Sequence, residues 1–456
     1  MNEHELRAKE ARYCSYGDTV HYSPTPRFFE RCEGSFLYDR SGQPFLDLQM
    51  WYSAVNFGYR NPAMVEAVKA QLDRLPQLAC QYLHEEKILL AEKLARECLR
   101  AFGREGRIHF NVGGAQAVED SMKLVRNAVR KNLFFAFTGS YHGRTLGASE
   151  ITSSYRYRRR FGHFSNRAHF VPYPYCFRCP YGKKLDDCGY YCVDQFARLF
   201  DTEYNSVWDA RAEESEFVAL YAEPVQATGG YIIPPPEYFA RLQQVLAAHK
   251  ILLVDDEIQM GFFRTGKFWA MEHFQARPDI VVFGKAMTNG LNPLSGLWAE
   301  EALISPERFP PGSTHSTFSA NPLGTAAALA TLQWIARSDY ETRVADAGRY
   351  FLHRLQELQQ RHRTIGDVAG LGLALRIEVT QPDRFTPNKA LADRIFEAGL
   401  AGGIVTTQGR MGVVLDIGGH YKNVFTLAPS LEITREEIDV AIELLDRLFT
   451  AETGHP

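Results

Sequence analysis

The strongest constraint on the fold is an alternation of short apolar runs with amphipathic stretches. The runs at 217–225, 251–258 and 280–283 each begin with a continuous apolar segment, and acidic residues come only toward the ends of the first two. Strands buried on both faces must be apolar in this way. Between the first two runs, residues 236–249 place apolar side chains at helical spacing. The pattern predicts strand–helix–strand units, and therefore a mostly parallel sheet covered by helices.

The length predicts more than one domain, because 456 residues exceed what a single hydrophobic core ordinarily holds. We expect a segment at 1–55, with a hairpin-like pattern at 34–48, that joins a small lobe. A large domain should occupy 56–322. A smaller α+β domain should occupy 323–456, which begins with a helix rich in small residues.

Composition excludes several classes of protein. With 45% hydrophobic and 23% charged residues and a net charge of -3, the chain is globular and has no electrostatic case for nucleic acid. The polar N-terminus lacks the apolar core of a signal peptide, and no run is long enough to cross a membrane. We therefore expect a cytoplasmic protein, in which eight cysteines are too few for a disulfide scaffold.

Reactive side chains follow two of the predicted strands. Asp255 and Asp256 come after an apolar run, and Lys285 comes just after another. Such strand ends open into the crevice where α/β sheets bind ligands. A desolvated lysine there has a lowered pKa and can attack an aldehyde. Taken singly, the Asp is equally a helix cap and the Lys a solvated strand end.

A glycine turn supplies a third feature. Gly113 and Gly114 precede a helix whose inward face is predicted to be Val118, Met122 and Val125. Free backbone N–H groups and the helix dipole at such a turn favour an anion, although a simple helix start has the same sequence.

An aromatic residue completes the set. Tyr141 follows the apolar run 133–137 and either stacks on a flat ligand or packs in the core. Pyridoxal phosphate needs an anion at its ring nitrogen, a lysine at its aldehyde and donors at its phosphate. The combination, rather than any one feature, predicts this cofactor.

Three segments, 220–230, 252–270 and 283–296, carry a resemblance to a known family. The sequence resembles the class III aminotransferases, which are pyridoxal-phosphate enzymes of fold type I, from about residue 36 to residue 449. The resemblance implies an α/β large domain with a mostly parallel sheet, plus a small α+β domain built from the N- and C-terminal segments.

The resemblance also implies catalytic roles. Lys285 would hold the cofactor as a Schiff base and later shuttle a proton, and Asp256 would keep the pyridine nitrogen protonated. Gln259 would contact the phenolic oxygen of the ring.

Other cofactor contacts are implied by the same resemblance. Gly114 and Ala115 would donate backbone N–H groups to the phosphate, with Tyr141 over the ring and His142 beside it. Glu223 would support Asp256. By the same resemblance, Thr317 would reach the phosphate of the other subunit, which implies a homodimer with shared active sites.

The chain departs from many relatives at the substrate side. Thr228 stands where many carry an acidic residue, and Thr426 lies near where many carry an arginine, so the pair that admits a dicarboxylate is missing. Ala369 likewise replaces a frequent arginine, and Arg376 should lie on the following strand. A monocarboxylate acceptor such as pyruvate, or an amine remote from any carboxylate, is therefore favoured over 2-oxoglutarate.

Several residues are candidates for the substrate pocket. A carboxylate anchor could come from Arg144 or from the basic run 156–160, which also fits a solvated surface. Trp51 and Tyr52 stand where the family lines its pocket, and two aromatics favour an apolar or extended amine. Core packing is the alternative for Trp51.

An insertion at 173–192 contains four cysteines, Cys176, Cys179, Cys188 and Cys192. Their spacing suits a structural zinc site or disulfides, and unlinked thiols are the alternative. Some class III relatives, including amino-acid racemases, have similar insertions.

Four functions are compatible with these residues. An aminotransferase acting on small amine and keto-acid substrates is favoured. A racemase or epimerase begins with the same proton abstraction, and decarboxylation of a dialkyl amino acid is a third reaction of the family. A zinc-stabilised binding protein without catalysis is the alternative from another class.

Overall fold

The computed structural model describes residues 1–17, 21, 23–24, 26–158, 161 and 167–454. Its strands are β1 (Phe29–Glu33), β2 (Phe36–Asp39), β3 (Pro44–Asp47), β4 (Gly106–Asn111), β5 (Leu133–Phe137), β6 (Ala168–Val171), β7 (Phe217–Ala222), β8 (Leu252–Asp256), β9 (Ile280–Phe283), β10 (Ser295–Glu300), β11 (Ile365–Leu371), β12 (Ala374–Val379), β13 (Ile404–Thr406), β14 (Gly409–Val414), β15 (Ile417–Gly418) and β16 (Val424–Leu427).

Its helices are α1 (Glu3–Tyr13), α2 (Met50–Ser53), α3 (Pro62–Arg74), α4 (Glu85–Phe102), α5 (Gly114–Val129), α6 (Leu146–Ile151), α7 (Tyr155–Arg158), α8 (Tyr191–Ala197), α9 (Tyr238–Ala248), α10 (Pro322–Ile335), α11 (Tyr340–Arg361), α12 (Lys389–Ala401) and α13 (Arg435–Thr453). The turn labelled α2 is left-handed, because all four of its residues have positive φ angles.

The central sheet has the strand order β4-β10-β9-β8-β7-β5-β6. Its pairs from β6 through β9 are parallel, and β10 runs antiparallel to both of its neighbours. Strands β7 and β9 are buried along their whole length. The mostly parallel sheet predicted from the apolar runs is therefore confirmed.

Helices cover both faces of this sheet. On one face, Val118, Met122 and Val125 of α5 are buried against alternate residues of the strands, as predicted. On the other face, α4 and α9 bury their apolar sides against the intervening residues. Because side chains alternate across a strand, each run must be apolar at every position to serve both layers.

The N- and C-terminal parts of the chain share a sheet. Strands β2 and β3 form the predicted antiparallel hairpin, and β3 pairs in parallel with β14. A separate antiparallel sheet has the order β11-β12-β16-β15. The division of the chain at residues 55 and 322 stays a prediction. No helix within the described ranges is long and apolar enough to cross a membrane.

Candidate active site

The candidate site lies at the carboxyl ends of the central strands. Asp256 ends β8, Glu223 directly follows β7, and Lys285 lies two residues beyond β9. A cavity of about 570 Å³ opens between them and the start of α5. Parallel strands bring their carboxyl ends to one edge of the sheet, which is why residues distant in sequence meet here.

Lys285 is held by a short chain of hydrogen bonds. Its Nζ donates to Oε1 of Gln259 at 2.7 Å, and Nε2 of Gln259 donates to the hydroxyl of Tyr231 at 2.9 Å. Burial lowers the pKa of Lys285 to about 8, against the opposing effect of carboxylates that include Asp256. The neutral amine, which is the nucleophilic form, is therefore accessible near physiological pH.

The backbone of Lys285 is also unusual. Its φ angle is 40°, in the left-handed region that favours glycine. Strain of this kind costs about 1–3 kcal/mol and persists where the surroundings fix the residue. The bond to Gln259 and the packing after β9 supply such surroundings.

Asp256 is paired with a buried histidine. Its Oδ2 lies 2.7 Å from Nδ1 of His142, and its Oδ1 accepts from the backbone N–H of Ile258 at 3.1 Å. Burial lowers the pKa of His142, but the hydrogen bond and charge of Asp256 outweigh it and raise that pKa above its usual value. The buried Nε2 of His142 has no partner among the residues described.

Glu223 fixes the loop that carries Tyr141. Its two carboxylate oxygens accept from the backbone N–H groups of Tyr141 and Ala227, both at 2.9 Å. Burial raises the pKa of Glu223 to about 7, against the opposing charge of His142. The carboxyl therefore both lines the cavity and orders two of its walls.

The start of α5 offers donors to an anion. In the described structure, no acceptor is recorded for the N–H groups of Gly114 and Ala115, which line the cavity. A Cβ at position 114 would lie 2.8 Å from Cδ1 of Ile258, so a larger residue there would displace that side chain. A helix N-terminus with free N–H groups suits a phosphate.

These residues fit pyridoxal phosphate. One cavity places a lysine amine, a carboxylate and uncommitted N–H donors together, which are the groups that the aldehyde, ring nitrogen and phosphate of this cofactor require. Tyr141 lines the same cavity with its ring edge-on to Tyr157, so the alternative that it is a core residue is wrong.

A second cavity of about 320 Å³ adjoins the first and shares Lys285, Gln259, Tyr141 and Arg144 with it. Tyr52 lines this second cavity from the left-handed turn α2.

Trp51 is not a core residue, and its place in the substrate pocket stays a prediction. Its side chain is 57% exposed, so core packing is wrong. It is also outside the sets of residues that line the two cavities, and its ring lies where a Cβ at Gly290 would contact it.

Thr228 and Thr426 take different positions. Thr228 lines the second cavity, whereas Thr426 is buried and donates from Oγ1 to Oδ2 of Asp416 at 2.6 Å. Asp416 lines the cavity in place of Thr426, which corrects the sequence-based expectation. The signal for Asp416 was present, because it follows the apolar run 413–415 as Asp256 follows its own.

The arginine residues that could bind a substrate carboxylate lie in different surroundings. Arg376 lies on β12 as expected, but it is buried in an ion pair with Asp367. Arg144 lines both cavities, with its guanidinium 4.2 Å from the ring centroid of Tyr157, and Arg156 lines the second. The end of the basic run, 159–160, lies outside the described residues.

Thr317 is exposed in the segment between β10 and α10, and it lines neither cavity of its own chain. Its role at the phosphate of a second subunit stays a prediction.

The four cysteines of the insertion, Cys176, Cys179, Cys188 and Cys192, line one small cavity, but no disulfide joins them. All eight cysteines are free thiols, and in the described part of the chain no group of three or more His, Cys, Asp or Glu residues could hold a metal. Burial raises the pKa of Cys176 to about 11 and that of Cys192 to about 12, so both thiols are protonated near neutral pH. For Cys176, Cys179, Cys188 and Cys192, unlinked thiols replace the prediction of zinc or disulfides.

Comparison with known proteins identifies the family of the chain. The family model described as aminotransferase class-III matches residues 18–449. This chain belongs to the class III aminotransferases. Enzymes of this family depend on pyridoxal phosphate, and the geometry above provides for it.

Individual relatives span almost the whole chain. An alanine/serine racemase from Pyrococcus horikoshii is 32% identical over 97% of this chain and 89% of its own length. An ornithine aminotransferase from Brevibacillus brevis is 29% identical over 94% of each chain. The crystal structure of a Bacillus anthracis aminotransferase matches with a TM-score of 0.85 at 27% identity, over 99% of this chain and 100% of that one.

Proposed function

We propose that this enzyme transfers an amino group from an amine or amino acid to a keto acid, with pyruvate favoured over 2-oxoglutarate. The observation that carries the preference is the pairing of Thr426 with Asp416. A negative charge on the wall of the substrate cavity disfavours the second carboxylate of 2-oxoglutarate. A monocarboxylate brings no such group.

Five residues of the first cavity have proposed roles in binding the cofactor. The N–H groups of Gly114 and Ala115 bind the phosphate, and Tyr141 covers one face of the ring. Asp256 holds the ring nitrogen, and its bond to His142 orients the carboxylate. The bound cofactor supplies an electron sink for the substrate carbon.

Lys285 is proposed to move the proton. Its amine is positioned by Gln259 and has a pKa lowered by burial to about 8, which suits a general base near physiological pH. The apolar side chains of Val225, Ile258 and Met260 line the cavity and limit access of water to this amine.

The substrate's own carboxylate, where it has one, needs a cation. Arg144 lines both cavities and Arg156 lines the second, so either guanidinium can approach a substrate next to Lys285. A planar guanidinium can bind a carboxylate with two parallel hydrogen bonds.

The working unit is proposed to be a homodimer. Thr317 is exposed and lies outside its own chain's cavities, so its predicted contact with a phosphate requires a second subunit. We also propose a cytoplasmic location, with which eight unlinked thiols agree.

Racemisation is the second candidate, because one relative that matches 97% of this chain is an alanine/serine racemase. Both reactions begin when Lys285 takes a proton from the substrate carbon. They differ in where that proton returns.

Acceptor competition tests the proposal. The enzyme would receive one amine donor with pyruvate and 2-oxoglutarate together, and both amino-acid products would be measured. We expect alanine to dominate. Predominant glutamate would refute the preference, and racemised donor without either product would favour the second candidate.

A further inference from the structure

The acidic residue of the substrate cavity has an unusual setting. Asp416 lies between β14 and β15, is partly buried, and lines the second cavity together with Tyr52, Tyr231 and Lys285. Its negative charge contributes to the pKa of the Lys285 amine, so the two groups face the same space.

The partners of Asp416 are neutral. Its carboxylate accepts from Oγ1 of Thr426 at 2.6 Å and from the side chain of Gln49. Across the described residues, no Lys, Arg or His nitrogen lies within 4.0 Å of it. A carboxylate withdrawn from water without a cation is costly unless a ligand provides one.

The nearby cations do not form an ion pair with Asp416. Lys422 and Arg156 line the same cavity, and the charge of Lys422 lowers the pKa of Asp416 against the larger effect of burial. Lys422 is nevertheless beyond ion-pair distance. The cavity wall therefore has separate negative and positive groups around one substrate-sized space.

We propose that Asp416 is a subsite for a positively charged group of the substrate, which makes donors with a second cationic group, such as diamines and basic amino acids, the preferred class. The amine-bearing carbon at one end of the donor lies beside Lys285, which takes its proton, and the ammonium or guanidinium at the other end binds Asp416. This inference rests on the proposed function, since it names the donor. Thr426 and Gln49 act as positioning residues that aim the carboxylate.

A pair of donors of equal length tests the subsite. Putrescine is a four-carbon diamine, and n-pentylamine has a methyl group in place of its second ammonium. Each would be titrated into the cofactor-loaded enzyme without keto acid, and the half-saturating concentration read from the cofactor absorbance. In Asp416→Asn, that concentration should rise at least about tenfold for putrescine and stay within about twofold for n-pentylamine.

Two further variants keep the test decisive. Asp416→Glu retains the charge and should keep much of the preference for putrescine. Asp346→Asn makes the same chemical change at an exposed residue of α11, paired only on the surface with Arg349, and should change neither titration. Retained cofactor absorbance shows that each variant is folded.

Equal changes for both donors in Asp416→Asn, or no preference for putrescine in the unaltered enzyme, would overturn the subsite. Because this titration contains no acceptor, it reports on Asp416 even if no amino group reaches pyruvate. Failure of the transfer to pyruvate, measured separately, would instead overturn the proposed function.

Discussion

Nδ1 of His142 lies 2.7 Å from Oδ2 of Asp256, and both side chains are buried at the carboxyl edge of the central sheet. The pair joins two residues 114 positions apart. The histidine thereby fixes the carboxylate that faces the cavity, while the N–H of Ile258 holds its other oxygen. Such support fixes a catalytic group at the geometry its chemistry needs.

Asp256→Asn should lower turnover by about two to four orders of magnitude, because an amide cannot keep a pyridine nitrogen protonated. Steady-state kinetics and the cofactor absorbance would be compared with Asp255→Asn. Asp255 is adjacent in sequence but packs with Glu257 away from the cavity. Similar losses in the two variants would contradict the assignment of Asp256.

Capture of the cofactor by Lys285 should depend on pH. The neutral amine attacks the aldehyde, and burial lowers the pKa of Lys285 to about 8. The rate at which cofactor-free protein takes up pyridoxal phosphate should therefore rise about tenfold per pH unit below that value and level off above it. Stopped-flow absorbance would measure this rate. A midpoint near the ordinary value of 10.5 would show that Lys285 is not desolvated.

Thr426→Arg should change acceptor choice. The new guanidinium would lie beside Asp416 and neutralise the charge that repels a second carboxylate. We expect the ratio of kcat/KM for 2-oxoglutarate to that for pyruvate to rise about tenfold. Thr426→Val is the control, because it removes the hydroxyl without adding charge. An unchanged ratio in Thr426→Arg would show that the charge on this cavity wall does not determine the choice of acceptor.

Glu257→Gln should stabilise the fold most at alkaline pH. Burial raises the pKa of both Asp255 and Glu257, so the folded protein binds protons that the unfolded chain releases above its ordinary carboxyl pKa values. The stabilisation from this pair is complete below the ordinary carboxyl pKa values. It is lost as the pH rises toward the raised pKa values of Asp255 and Glu257. Thermal unfolding of the variant and the unaltered protein would be compared at acidic and alkaline pH. If the gain in unfolding temperature of Glu257→Gln over the unaltered protein became smaller as pH rose, the raised pKa values would be contradicted.

Much of the fold could be predicted because it depends on local patterns. The apolar runs identified β7, β8 and β9, since a strand covered on both faces is apolar until it reaches the edge of the sheet, where Asp255 and Asp256 end β8. The same runs located Asp256 and Lys285 at strand ends, and the family resemblance assigned them roles. Buried Val118, Met122 and Val125 followed from helical spacing alone.

Contacts between distant segments could not be predicted in the same way. The bond of Thr426 to Asp416 depends on the turn from β15 to β16, which no periodicity encodes. The cysteine spacing indicated that the four thiols meet, and they line one small cavity, but spacing alone does not fix whether thiols are linked, and these remain unlinked. The exposure of Trp51 was not encoded in the sequence pattern, because it depends on the left-handed turn α2, and its place in the substrate pocket stays a prediction.

Amino-group transfer at Lys285 is the central claim, and a single-turnover experiment tests it most directly. Cofactor-loaded enzyme would be mixed with a donor amine in deuterated water without keto acid. We expect about one carbonyl product per Lys285, and then alanine when pyruvate is added. Recovery of all the donor with solvent deuterium at its reacting carbon, and no carbonyl product, would contradict the account and identify a racemase.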